Sequence, residues 1–123
     1  MKAETDLEQS KKLAAGILPP ESADKYWWSS GKRYYIESMD DGDFNEKEGH
    51  IRAWSLSALL SVLPFHLIVN NQRYAFSMHK GLNKDGETYI FKYNVFNTDV
   101  CLYATNYYNN PVDAAFEMVC WLC

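Results

Sequence analysis

Cys120 and Cys123 have two residues between them, the spacing at which two thiolates can converge on one zinc ion or cycle as a disulfide. A redox pair of this kind belongs at a helix N-terminus after a strand, where the helix dipole lowers the thiol pKa. Here the pair closes the last helix the sequence predicts, and no second Cys or His pair at zinc spacing completes a set of four ligands. Both cysteines are expected to behave as small buried hydrophobes. Asp41, Asp43 and Asn45 match the first three ligand positions of a calcium loop, where alternate oxygens converge on a hard cation. The match then fails, because Glu46 stands where the turn needs Gly and Arg52 where a bidentate Glu should close the shell. A solvated, mobile acidic loop over 39–49 is expected instead. His50, His66 and His79 are spread over a loop, a strand start and a strand end, with no pair at metal spacing. A nucleophile pair such as Cys101 with His79 or His66 is one that a fold could assemble, since such sites are defined by geometry and not by chain order. Nothing in the sequence argues for it. Ser55, Ser57 and Ser61 are accounted for as a helix cap and two polar-face residues. No catalytic, metal-binding or cofactor-binding residue is assigned.

The aromatic content is the stronger functional signal, with nine Tyr, six Phe and four Trp in 123 residues. Tyr74, Phe76 and Met78 alternate on one predicted strand, and Tyr89, Phe91, Tyr93 and Val95 on the next. Bases stack on sheet-displayed Tyr and Phe in single-strand binders, at about 1–3 kcal/mol per base. Such binding also needs Lys and Arg to neutralise phosphates. The formal net charge is −4, and the only basic pairs are Lys11-Lys12 and Lys32-Arg33, so nucleic acid is not an expected partner. Trp27, Trp28, Tyr34, Tyr35, Tyr107 and Tyr108, together with Tyr103, exceed what one small core can hold. Because Tyr and Trp are enriched at interfaces, these six are the expected interaction surface, for a protein partner or a second copy in a homodimer. Trp27 and Trp28 are the first choice, as they lie outside the periodic elements.

The elements that must position these residues can be read in order. Thr5 and Glu8 fit a capping box that opens a short helix from about Asp6 to Ala15, ended by Gly16 and Pro19-Pro20. Residues 21–28 can form one more helical turn, and Arg33–Ser38 alternates as a first strand. Leu56, Leu59, Leu60 and Leu63 form one helical stripe over about 55–63, with Ser55 as N-cap, Trp54 as a hydrophobic staple on Leu59, and Pro64 as a stop. From His66 to Ala104 the period is two, with turns at Asn70-Asn71 and at Lys84-Asp85-Gly86. Asn110-Pro111-Val112-Asp113 starts a last helix, 111–122, whose apolar circumference demands burial. The predicted fold is α+β: an antiparallel meander of four to five strands with two main helices on one face, plus a short N-terminal helix, forming a single domain over 1–123. Leu56, Leu59, Leu60, Leu63, Phe116, Val119 and Cys120 are the expected core. No apolar run is long enough for a membrane span, and the N-terminus lacks the apolar core of a secretion signal. A cytoplasmic location with three reduced cysteines is therefore expected, and no membrane partner.

Three blocks also resemble a known family: Leu18-Pro19-Pro20-Glu21-Ser22-Ala23-Asp24-Lys25-Tyr26-Trp27, then Ala53-Trp54-Ser55-Leu56-Ser57-Ala58-Leu59-Leu60, then the run from Asn110-Pro111-Val112 to Cys120-Trp121-Leu122. The chain resembles small uncharacterised proteins carried by gut anaerobes, their phages and mobile elements. In those relatives the last helix usually runs several residues further. The resemblance brings no established activity and no functional residue. The expected function is an accessory role as a non-enzymatic protein-interaction module. The alternatives are a small hydrolase-type enzyme with a loop-borne site and a single-stranded nucleic-acid binder using the aromatic sheet face. A cleft holding a His within hydrogen-bond reach of Cys or Ser would favour the enzyme.

Overall fold

The computed structural model describes residues 1–123. Asp6 caps helix α1 (Leu7–Lys12): its carboxylate accepts from the Gln9 N–H at 2.8 Å, and the Gln9 side chain accepts from the Asp6 N–H at 3.1 Å. This is the predicted capping box moved one residue along the chain, from Thr5 and Glu8 to Asp6 and Gln9. The reason is that Thr5 is fully buried, with its hydroxyl bonded to Ser10 Oγ at 2.7 Å and accepting from the Trp54 N–H at 3.1 Å. A hydroxyl so engaged cannot cap. After α1, Gly16 takes φ +121° and the Leu18 N–H reaches back to the Leu13 carbonyl at 3.1 Å, which closes the helical turn.

The helical turn expected over residues 21–28 is confined to Pro20–Ser22. Trp27 and Trp28, expected outside regular structure, lie instead in strand β1 (Lys25–Ser29). It pairs antiparallel with β2 (Tyr34–Ser38) on one side and β3 (Ile51–Ala53) on the other. Adjacent large aromatics suit a pleated surface, and here Trp28 stands opposite Tyr35 and stacks on it with ring centroids 4.7 Å apart. This three-stranded sheet joins the predicted meander as a second sheet. The acidic loop between β2 and β3 is tied down by Phe44, which meets Tyr26 edge-on at 5.6 Å and lies under Arg52 at 4.4 Å. Gly42 is required there, since a Cβ would sit 2.0 Å from the Tyr26 hydroxyl.

Helix α2 (Leu56–Val62) starts at Ser55, whose hydroxyl accepts from the Ala58 N–H at 3.1 Å and donates to Asp24. The meander is built from β4 (His66–Val69), β5 (Gln72–Asn83), β6 (Gly86–Asn94) and β7 (Cys101–Ala104), antiparallel in that order. Asn70 and Asn71, with φ of 52° and 65°, make the tight turn between β4 and β5. Helix α3 (Pro111–Leu122) is capped by Asn110, which accepts from the Asp113 N–H at 2.9 Å, and packs on both α2 and β6. The fold is thus α+β with two antiparallel sheets and three helices.

One continuous core includes Trp54, Leu59 and Leu63 from the α2 region, Phe91 and Tyr93 from β6, Val112, Met118 and Val119 from α3, and Leu13 and Leu18 from the N-terminal segment. Leu56, Leu60, Phe116 and Cys120 pack against it while keeping partial exposure. The N-terminus is pinned to α3 by Lys2 and Gln9, which each donate to Asp113 Oδ1 at 2.8 Å. Burial pushes the Asp113 carboxyl up, but hydrogen bonds from Lys2, Asn110 and Gln9 outweigh it and hold the group below its ordinary value. No helix is long and apolar enough to cross a membrane.

Candidate functional site

A concavity lies between α2 and β5, and it arises from how the leucine stripe is shared. Leu59 and Leu63 enter the core, whereas Leu56 and Leu60 on the same stripe turn their open sides to a groove of about 610 Å³. The other wall is Phe76, Ser77 and Met78 of β5, and Phe65 stands at one end. Phe65 is placed by its neighbours: Tyr93 Oη donates to the Pro64 carbonyl at 2.8 Å, and the Phe76 N–H donates to the Phe65 carbonyl at 2.9 Å. With the backbone of the 64–65 corner held on both sides, the Phe65 ring points outward and is 82% exposed. Met78 is 55% exposed and Leu82, further along β5, is 81% exposed. Apolar side chains outnumber polar ones around the groove; the polar side chains there are Ser57 and Ser61, while Ser77 turns its hydroxyl to the other face of the strand. Such a surface binds by area and shape, with hydroxyls to fix orientation.

The opposite face of the meander holds a second cleft of about 480 Å³ that includes Ser77, His79, Asn94, Phe96 and Asp99. Ser77 Oγ lies 2.9 Å from His79 Nε2, so a serine and a histidine do meet in a cleft, as the enzyme alternative requires. The sequence carried the signal for this pair, since residues two apart on a strand share a face. The set stops there. No carboxylate or carbonyl is bonded to the other ring nitrogen of His79, and His79 is exposed. A nucleophile's base needs an orienting partner, and a developing oxyanion needs aimed donors. Cys101 is an exposed free thiol. His50 serves the acidic loop, accepting from the Asn45 N–H through Nδ1 at 3.0 Å and stacking on Tyr26 at 5.1 Å. Asn45 itself accepts from the Lys47 N–H at 3.0 Å, and no three His, Cys, Asp or Glu side chains converge as a metal set. Cys120 is half-buried and Cys123 exposed, with the Cys120 thiol pushed up by burial.

The six aromatic residues expected to form an interaction surface fall in two places. Trp27, Trp28, Tyr34 and Tyr35 lie on β1 and β2, where Trp27 Nε1 donates to the Thr5 carbonyl at 3.1 Å and Arg33 Nε donates to Tyr35 Oη at 2.7 Å. Trp27 and Trp28 are half-buried and, as consecutive strand residues, face opposite sides. Tyr107 and Tyr108 lie between β7 and α3; Tyr107 is exposed, and Tyr108 donates to Glu117 at 2.8 Å. Of the rings with the regular alternation needed for base stacking, Phe91 and Tyr93 are buried in the core, while Tyr74, Phe76 and Tyr89 are half-buried and pack against it. Comparison with known proteins gives no matching family model, no matching curated protein and no matching solved structure.

Proposed function

We propose that this chain is a non-enzymatic accessory module that works in the cytoplasm by docking a segment of a partner protein in the groove between α2 and β5. The observation that carries the reading is the apolar wall formed by Leu56, Leu60, Phe65, Phe76 and Met78, of which Phe65 and Met78 remain open beside a core already filled elsewhere. Large apolar side chains held outward by ordered backbone are more than scattered surface residues, because together they line one concavity. The three-block resemblance supports a role of the phage or mobile-element type. The hydrolase-type alternative draws on Ser77 and His79 alone, and two side chains without an orienting group or oxyanion donors make an incomplete machine.

The test is quantitative capture from a lysate of the source organism by the tagged protein and by a Phe65→Ser, Met78→Ser double variant. Both side chains are largely outside the core, so the variant is expected to melt within a few degrees of the parent. Recovery of specifically bound protein is expected to fall at least tenfold, the effect of removing two anchors from one interface. Equal recovery by both forms would place docking elsewhere and overturn the reading.

A further inference from the structure

Strand β5 is far longer than the strand beside it. β4 pairs only with Gln72–Ala75, and one further bond, from the Phe76 N–H to the Phe65 carbonyl, extends that side. From Ser77 to Asn83, β5 is paired with β6 alone, and no strand lies on its other side. Antiparallel pairing turns the N–H and C=O of alternate residues to opposite neighbours. Because Phe76 faces the β4 side, Met78, Lys80 and Leu82 face that side too, while Ser77, His79, Gly81 and Asn83 serve β6. The open edge therefore presents three backbone donor and acceptor pairs, repeating about every 6.8 Å. Where it is open it has no proline and no bulge, and Lys80 is the one charged side chain that guards it. The side chains of Met78, Lys80 and Leu82 lie on the helix-facing side with Phe76, so the edge runs out of the apolar groove.

We infer that the groove's occupant is an extended segment of a different protein, added to β5 as an extra strand along Met78–Leu82 and carrying the pattern apolar, any, acidic, any, apolar. This deepens the docking reading and rests on it. The backbone row specifies an extended chain, since a helix satisfies its own N–H and C=O groups and offers none to an edge. The apolar positions are set by Met78 and Leu82, which a strand partner's side chains would meet on the same face. Its residue beside Met78 would also enter the space framed by Leu56, Leu60 and Phe65. The acidic position is set by charge. Lys80 stands midway between Met78 and Leu82, with its side chain 59% exposed and Glu87 3.1 Å away. A second copy paired antiparallel over the whole open edge would set Lys80 directly against Lys80, and like charges in that position are destabilising. A carboxylate there is favourable, which selects a different chain over self-pairing. The positions marked any would face the polar side with Ser77 and His79, where side-chain identity is not constrained.

The test uses the full-length protein and fluorescein-labelled peptides with a Val-Thr-Glu-Thr-Val centre, a Val-Thr-Lys-Thr-Val centre, or the Glu sequence with N-methyl groups on the residues whose N–H groups face β5. The Glu peptide is expected to bind saturably, about threefold to tenfold tighter than the Lys peptide, with the order reversed in Lys80→Glu. The N-methylated peptide is expected to lose binding at least tenfold, because it cannot donate to the edge. Lys80→Pro removes an outward N–H that serves no internal bond, so it is expected to keep the fold and lose the peptide. Absence of saturable binding by the Glu peptide, or equal binding of its N-methylated form, would overturn strand addition. The docking reading would then still stand if the Phe65→Ser, Met78→Ser variant lost its captured partner. A dimer in solution that Lys80→Pro dissociates would assign the edge to a second copy and likewise overturn the inference.

Discussion

Trp54→Ala is expected to lower unfolding stability by roughly 3–5 kcal/mol, the range for deleting a large buried aromatic. Trp54 is fully buried at the junction between β3 and α2. Its indole Nε1 donates to Ser22 Oγ at 2.9 Å, its backbone N–H donates to Thr5 Oγ1 at 3.1 Å, and its carbonyl accepts from the Thr5 N–H at 2.9 Å. The backbone bonds survive substitution, so the loss is side-chain volume plus one hydrogen bond. Because the cavity would open where the N-terminal segment, the small sheet and α2 meet, no single element can collapse to fill it. Domains of this size are stable by about 5–15 kcal/mol, so the variant should sit near the threshold of folding. Urea denaturation measures it: the midpoint should fall sharply for Trp54→Ala and modestly for Trp54→Phe, which keeps most of the volume. An unchanged midpoint in the alanine variant would mean that the ring is not in the core.

Glu117→Gln is expected to cost about 1–3 kcal/mol at neutral pH, the range for removing an ionised acceptor that serves several donors. One carboxylate of α3 accepts from Tyr103 Oη, from Tyr108 Oη at 2.8 Å, and from the Asn106 N–H and Nδ2 at 3.0 and 3.1 Å. It fastens the end of β7 and the loop after it to the helix. Burial works against its charge, but hydrogen bonds from Tyr103, Asn106 and Tyr108 outweigh burial, so its pKa lies below the ordinary 4.5. A carboxyl with a depressed folded pKa stabilises above its unfolded pKa, and that contribution is lost as pH falls through the folded value. The hydrogen bond to Glu117, helped by burial, pushes Tyr103 from 10.0 up to about 12. A phenol raised in the folded state stabilises fully below pH 10 and loses that contribution as pH rises towards 12. Glu117→Gln should therefore flatten the acid limb of stability below about pH 4.5 and move phenolate absorbance to lower pH. Wild-type limbs in the variant at both ends would contradict the cluster.

The parts of the fold that the sequence disclosed are those decided locally. Ser55 and Asn110 cap the helices as read, Asn70-Asn71 turns the hairpin, and the leucine stripe and the period-two runs become α2 and the meander. Of the second sheet the sequence disclosed only β2, as the alternation over Arg33–Ser38; β1 and β3 were not legible because they are five and three residues long and pair with each other across β2 and the whole acidic loop. Short strands carry too few alternations to show a period. Trp27 and Trp28 illustrate this, since two adjacent aromatics fit any pattern until Ile36 and Tyr35 are placed opposite them. Thr5 and Glu8 met the capping pattern, yet a contact with Trp54, far along the chain, took the Thr5 hydroxyl. The groove escaped notice for a related reason. Leu56, Leu60, Phe76 and Met78 all lie on apolar stripes, and only the packed arrangement separates the residues that fill the core from those that line its open side.

This apolar wall is a surface and not part of the core, and methionine oxidation tests that most directly. Met118 is fully buried in α3, Met78 is 55% exposed in the groove, and Met1 is 84% exposed. Thioether oxidation by dilute peroxide tracks access to the sulfur. Under native conditions, monitored by peptide mass spectrometry, Met78 should oxidise within a few-fold of the rate of Met1, while Met118 stays reduced until the protein unfolds. A Met78 as slow as Met118 would show the groove closed, and the docking account would have no surface to stand on.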